Sequence, residues 1–196
     1  MVELQRWGPA GIVELQRWGP AAMEQRLDDV MHVYRRAFLD QHERDPVRAE
    51  QERKAYARSH LVRSGLTGVA ALTADGTLIG IGYGQPGGRG QWWHDTVARG
   101  LGDRADDWLG DCFEVVELHV LPEHQGSGLG RTVLRALLDG ATQRTAALSA
   151  LEEPESRARR LYASEMFNTL LSDFAFPGTP TRYAILGKRL RPAPVT

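Results

Sequence analysis

The hydrophobic positions of this chain change period several times, and each change marks an element. Leu27, Val30, Met31, Tyr34 and Phe38 recur at i, i+3, i+4, i+7 and i+11, the spacing of one helical face. Pro46 to about Arg63 reads as a second helix with a strongly charged face. Two apolar runs, Thr67 to Thr73 and Thr77 to Gly84, are separated by Ala74-Asp75-Gly76, and an Asp-Gly pair between such runs predicts a hairpin. Phe113 to Val120 is apolar and β-branched, a buried strand that Pro122 ends. Leu129, Val133, Leu134, Leu137 and Leu138 then restore the helical period. Arg144 to Leu151 reads as a strand, and Pro154 is placed to open a helix, where its missing N–H costs nothing. Asn168 to Phe174 and Thr181 to Leu190 read as the last strands, joined through Pro177, Gly178 and Pro180. Only Gln85 to Asp111 keeps no clear period: it is glycine-rich, then Trp92-Trp93-His94-Asp95, then polar up to Trp108.

The start of the chain repeats itself. Val2 to Ala10 recurs identically at Val13 to Ala21, too short a unit for a repeat architecture. The second copy is the expected first strand, because a helix follows it directly. The first copy is open to three readings: a tail, an added edge strand, or a strand that pairs with another subunit. The expected organisation is therefore a duplicated segment over residues 1–12 and one domain over 13–196.

Composition narrows the class. The 196 residues suit one small domain. A formal net charge of -1 offers no electrostatic footprint for nucleic acid. No apolar run approaches the roughly 20 residues a membrane helix needs, and the N-terminus lacks a signal-peptide layout, so the expected location is cytoplasmic. Lys54 and Lys188 are the only lysines among many arginines, which suggests a GC-rich, bacterial genome more than a function. The single Cys112 rules out an internal disulfide and any multi-cysteine zinc site, and reads as a buried spectator. The histidines show no ligand spacing, so no metal is expected.

The chemistry concentrates after Val120. Strand, glycine turn and helix N-terminus follow one another, which aims unpaired N–H groups and the positive end of a helix dipole at one spot, a place for phosphate. Gly126, Gly128 and Gly130 alternate through the turn and let a ligand approach the backbone, with Arg131 adding a cation in the first helical turn. No Lys-Ser or Lys-Thr pair follows, so the turn is not a Walker loop, and its third glycine comes one residue early for a dinucleotide fingerprint.

Gln125, Gly128 and Gly130 fill the pattern Gln/Arg-x-x-Gly-x-Gly/Ala, and Leu118-His119-Val120-Leu121-Pro122 precedes it as a strand. In this the chain resembles the GNAT superfamily of CoA-dependent N-acyltransferases. A second match lies downstream, where Ala158, Leu161, Tyr162 and Phe167 fit that family's helix, with Glu155 in place of the usual Asn and Met166 in place of the usual Gly. The resemblance covers roughly Val13 to Leu190. It implies an α/β (α+β) fold: a central mixed, mostly antiparallel twisted sheet of about six to seven strands, flanked by about four helices. Gln85 to Asp111 is then an insertion between the family's third and fourth strands.

The resemblance also implies a mechanism. Acetyl-CoA would be held at Gln125, Gly126, Ser127, Gly128, Leu129, Gly130 and Arg131, with the backbone of Leu118, His119 and Val120 facing the pantetheine arm or the oxyanion formed at the thioester carbonyl. Tyr162 would protonate the departing thiolate. A carboxylate would take the proton of the acceptor amine. Glu114, six residues before Val120, takes the family's position, while Glu117 sits on the opposite face by simple alternation unless the strand bulges, so Glu114 ranks first. His119 is expected to face solvent. Transfer would be direct, amine and thioester being held together.

The acceptor, a small-molecule or peptide amine, would meet residues from about Phe38 to Ser64 and the insertion. That insertion carries five aspartates against three arginines, and with Trp92 and Trp93 it would suit a cation. The bland reading is that the tryptophans anchor the insertion and the aspartates are solvated. A homodimer stays open. The rival reading from another class is a non-catalytic acyl-CoA sensor or interaction module, which loss of Tyr162 and both strand glutamates would have favoured.

Overall fold

A computed structural model describes residues 3–7, 11–38 and 46–190. The chain divides into two compact units, Met1–Gln85 with Val116–Gly140, and Pro86–Val115 with Ala141–Thr196. Strand β5 (Cys112–Val120) contributes to both.

In the first unit the strand order is β1-β2-β3-β4-β5. The edge strand is β1 (Glu3–Trp7), paired antiparallel with β2 (Gly11–Trp18) so that Gln5 lies opposite Val13. The two copies of the repeat therefore pair with each other, the added-edge-strand outcome, and this strand takes the total to eight. Strands β3 (Thr67–Thr73) and β4 (Leu78–Pro86) form the expected hairpin. Gly76 turns it at φ 82°, and Thr77 carbonyl accepts from Thr73 N–H at 3.0 Å. Hydroxyl and backbone hydrogen bonds from Thr73 and Thr77 hold the Asp75 carboxyl below the usual carboxylate range.

Helices α1 (Pro20–Gln25) and α2 (Leu27–Phe38) replace one expected helix, with a break at Arg26. Pro20 in the first turn is the start signal for the earlier piece. Helix α3 (Pro46–Leu61) packs on both, and Leu27, Met31 and Ala57 make a small core between them.

Glycines in β4 let the layers close. A Cβ on Gly82 would stand 2.9 Å from Val133 Cγ1 and 3.1 Å from Leu118 Cδ1, tighter than side chains tolerate. Val133 belongs to the helix over Leu129–Asp139, whose Leu129, Val133, Leu134, Leu137 and Leu138 are all buried. Each such burial contributes about 1.5–3 kcal/mol. At its far end Arg17 donates to the Ala136 carbonyl at 2.8 Å, a cation placed where the dipole favours one.

In the second unit the order is β5-β6-β8-β7, with β6 (Thr145–Leu151), β7 (Asn168–Ala175) and β8 (Arg182–Arg189). β5 and β6 are parallel, and the other pairs antiparallel, which makes the sheet mixed and mostly antiparallel as expected. The inserted segment corrects the expectation of irregularity. It folds as α4 (Trp92–Leu101) and α5 (Ala105–Leu109). Trp93, Val97 and Leu101 follow at i, i+4 and i+8, and they pack with Leu109, Cys112, Ala147, Leu170 and Ile185. Glycines on either side hid that period. The helix over Leu129–Asp139 is α6, and α7 is Arg157–Ser164. Pro154 does not open α7. Ser156 does, its hydroxyl accepting from Arg159 N–H at 3.2 Å, the more effective cap.

Candidate active site

The glycine turn has the geometry its sequence implied. After β5, Pro122–His124 makes one 3₁₀ turn, and Gln125 Nε2 donates back to the Val120 carbonyl at 3.0 Å. Gly126 and Gly128 have φ of 77° and 92°, where an L side chain is strained. Gly128 is the N-cap of α6 and offers no side chain to cap it. No acid stands in the first turn, and Arg131 does. The Ser127 hydroxyl is turned to the His124 carbonyl at 2.7 Å and only grazes Leu129 N–H at 3.4 Å. A helix start that carries a cation instead of an acid leaves its dipole to be met by an external anion.

A cavity of about 280 Å³ lies in the same unit, and four elements build it. Helix α2 gives Val30, Met31 and Tyr34, and α3 gives Arg53, Tyr56 and Ala57. Strand β4 gives Ile81 and Tyr83, and β5 gives Glu117 and His119. The spacings are those of one face each: i, i+3 or i+4 on the helices and i, i+2 on the strands. Tyr34 meets His119 edge-on with ring centroids 4.8 Å apart, and the Arg53 guanidinium hydrogen-bonds its hydroxyl while lying 4.9 Å over its ring. Glu117 Oε2 is 2.6 Å from His119 Nε2, with side-chain exposures of 22% and 11%. His60, fully buried behind the wall, lies edge-on to Tyr56 and 3.5 Å from the Tyr83 hydroxyl. Burial pushes its imidazole down to about 4, reinforced by Arg63 and opposed by Glu117.

The sequence-derived candidates thus separate. Glu117 lines the cavity, whereas Glu114 is buried in the stretch of β5 that ladders with β6, opposite Ala147. His119, expected to face solvent, is instead largely covered and paired with Glu117. Leu118 is half-buried, Val120 is buried, and Leu121 N–H donates to the Ile79 carbonyl at 2.9 Å. In the second unit Tyr162 is buried on α7, its ring edge-on to Phe167 at 5.7 Å.

Trp92 and Trp93, the expected acceptor contacts, both pack within the second unit. Trp93 packs on the second unit's core with Nε1 3.4 Å from the Ser149 hydroxyl, and Trp92 stacks on Phe176 at 5.3 Å. The aspartates around them are engaged locally. Asp95 accepts from Gly90 N–H and the His94 ring, and the His94 hydrogen bond does most to hold its carboxyl below the usual range. Asp107 pairs with Arg189 at 2.5 Å, and Asp111 with Arg144 at 3.4 Å. Cys112 is buried, and burial pushes its thiol up to about 12, which leaves it no nucleophilic part.

The stretch expected to meet the acceptor, about Phe38 to Ser64, includes α3, but the sequence reading singled out none of the α3 residues that line or back the cavity. Arg53, Tyr56, Ala57 and His60 fall at i, i+3, i+4 and i+7, a signal masked by the charges between them. Residues 39–45, where acceptor contacts were also expected, lie outside the described residues. Among the described residues no cluster of metal-ligating side chains occurs, and no helix is long and apolar enough to cross a membrane.

Strand, glycine turn and helix start thus stand in the order that the acyltransferase resemblance implied. The chain belongs to the Acetyltransferase (GNAT) family, whose model matches residues 27–166. It is 34% identical to the GCN5-like protein acetyltransferase Rv2170 of Mycobacterium tuberculosis, over 86% of this chain and 93% of that one. Among solved structures it resembles the PaiA N-acetyltransferase of Thermoplasma acidophilum in complex with coenzyme A, with TM-score 0.59, 15% identity and coverage of 90% and 98%. It also resembles yncA of Salmonella typhimurium, solved with acetyl-CoA, with TM-score 0.59, 18% identity and coverage of 94% and 97%.

Proposed function

We propose that this protein transfers the acetyl group of acetyl-CoA to a primary alkylamine, by direct attack with both substrates bound. The observation that carries the reading is the pairing, within one unit, of an anion-seeking helix start with an aromatic cavity that holds Glu117. The turn from Gln125 to Arg131 suits the pyrophosphate of CoA: two left-handed glycines keep Cβ atoms away, and backbone N–H groups supply donors. The thioester brings the activated acyl group; the chain's own residues orient it and move protons.

The cavity suits an amine with an apolar stem. Val30, Met31, Ala57 and Ile81 offer apolar wall, three tyrosines line it, and Glu117 offers a counter-charge to an ammonium. A lysine side chain fits this description, and the name of the mycobacterial relative, a protein acetyltransferase, supports a peptide acceptor. An amine near pKa 10 arrives protonated at neutral pH and must lose that proton before nitrogen can attack. We rank Glu117 above Glu114 as the base, reversing the order given by position alone, because Glu117 is on the cavity wall and Glu114 is buried elsewhere. Tyr162, in its Leu161-Tyr162 motif, is the proposed acid for the leaving thiolate.

The test combines binding and turnover. Acetyl-CoA should raise the melting temperature while ATP and NAD do not. Free thiol should appear on adding acetyl-CoA with a lysine peptide or another alkylamine. A thermal shift with no thiol release across a broad amine panel would leave a sensor module, and equal shifts with ATP or NAD would remove the CoA reading.

A further inference from the structure

Glu117 and His119 stand two residues apart on β5, on the same face of the strand, and both line the cavity. Their side chains touch through Oε2 and Nε2 at 2.6 Å, a charge-assisted distance. We propose that the two act as one base: His119, its Nε2–H held by the Glu117 carboxylate, takes the proton leaving the acceptor amine on its other ring nitrogen, and Glu117 stabilises the imidazolium so formed. This rests on the acetyl-transfer reading above and adds a second residue to its proton path.

The balance is simple. Before the step the site holds an alkylammonium, a carboxylate and a neutral imidazole. Afterwards it holds a neutral amine, a carboxylate and an imidazolium, and one N–H bond has been exchanged for another. The imidazolium then returns its proton to solvent. A carboxylate alone is a poor match for this task, since a proton from an amine near pKa 10 falls to a group near pKa 4 only by an unfavourable transfer of about six units. An imidazole is, as a class, about two units the better base, and a contacting carboxylate stabilises its cation.

The surroundings fit this use. From α2, Tyr34 sets its ring edge against His119 and fixes the ring's plane. From α3, Arg53 is tied to Tyr34, so its charge, which opposes protonation of the imidazole, is held on that phenol. Tyr56 of α3 and Tyr83 of β4 complete the titratable wall. His60 stays uncharged above about pH 4 and adds no competing cation. Among the described residues Glu117 is the one acid on the cavity wall, and it is the group His119 meets.

The experiment has two readouts. Histidine-labelled NMR of the unliganded protein follows the His119 titration in the wild type and in Glu117→Gln. We expect the midpoint to fall on loss of the carboxylate. An unchanged midpoint overturns the pairing. Steady-state profiles with one accepted amine then compare wild type, His119→Gln and His119→Asn, each checked for folding by its acetyl-CoA thermal shift. The acid limb of kcat/KM should move to lower pH in both histidine variants, with kcat at pH 7.5 lowered about tenfold or more. A limb that stays in place while the wild type turns over overturns the proton path and leaves Glu117 acting alone. No thiol release from the wild type at any pH removes the acetyl-transfer reading itself, whatever the NMR shows.

Discussion

The glycine turn and the cavity lie in one unit, yet they are built in opposite ways. The turn is a local object. Six consecutive residues, Gln125 to Gly130, set its shape through φ values that only glycine adopts without cost and through a helix start that follows at once. The cavity is an assembled object. Its ten lining residues come from two helices and two strands, and no stretch of more than two adjacent residues contributes to it. A local object fails when one backbone conformation is denied. An assembled object fails by degrees, as each wall loses contacts.

The largest effect should therefore come from Gly128→Val. Valine at φ 92° is badly strained, and its branched side chain would sit over the helix start. The acetyl-CoA thermal shift, worth about 2.7 kcal/mol of stabilisation at a hundredfold excess over Kd, should vanish while the unliganded fold persists by circular dichroism. Retained affinity would mean that the turn is not where the ligand is held, and that the local object is only a connector.

Tyr162→Phe comes next and tests the second unit. The ring remains to pack on Phe167, and only the hydroxyl goes. Loss of a general acid should lower kcat about 10²-fold and leave the acetyl-CoA KM nearly unchanged. An equal fall in kcat with a matching rise in KM would make Tyr162 a binding residue.

The same contrast explains what was legible in the sequence. The glycine turn, the α6 stripe, the β3–β4 hairpin and the Tyr162 helix are all written within a dozen residues each, and local spacing carries them. The cavity was not legible, because Arg53, Tyr56 and His60 on α3 acquire meaning only when α2, β4 and β5 are brought against them. Glu117 was ranked below Glu114 for the same reason: strand alternation assigns two residues to opposite faces and says nothing of what either face meets. The inserted segment hid its packing in the same way: Trp93 joins the second unit's core and Trp92 stacks on Phe176, contacts that the glycine-rich sequence around them gives no sign of.

His60 gives a smaller, pH-dependent effect. Its imidazole titrates near 4 in the fold and near 6.5 when unfolded, so between those values the unfolded chain binds more protons. Stability then falls as pH drops from about 6.5 to about 4, and is unaffected by this group above that window. His60→Gln cannot take up the proton, so its melting temperature should fall less over the same window than that of the wild type. Parallel curves would show that the wall behind Tyr56 and Tyr83 admits water and charges at little cost.

The smallest effect should come from Met166, where the local code is broken without loss of the fold. Helix α7 ends in a Schellman motif: Met166 N–H donates to the Ala163 carbonyl and Phe167 N–H to the Tyr162 carbonyl, both at 3.0 Å. The motif needs a left-handed residue after the C-cap, and Met166 supplies it at φ 64°. A non-glycine residue there costs about 1–2 kcal/mol, and its side chain is 76% exposed, so packing returns little. Met166→Gly removes that strain and costs roughly 0.5–1 kcal/mol in chain entropy. The net gain should be about 0.5–1 kcal/mol, a rise of about 1–4 °C in melting temperature for a chain of this length. Because the Tyr162 carbonyl is an acceptor in this cap, kcat reports whether the change is purely one of stability. An unchanged kcat with a higher melting temperature makes Met166 a tolerated mismatch to its motif. A lower kcat would mean that the strained ending holds Tyr162 in place, and that even this local object serves the assembled one.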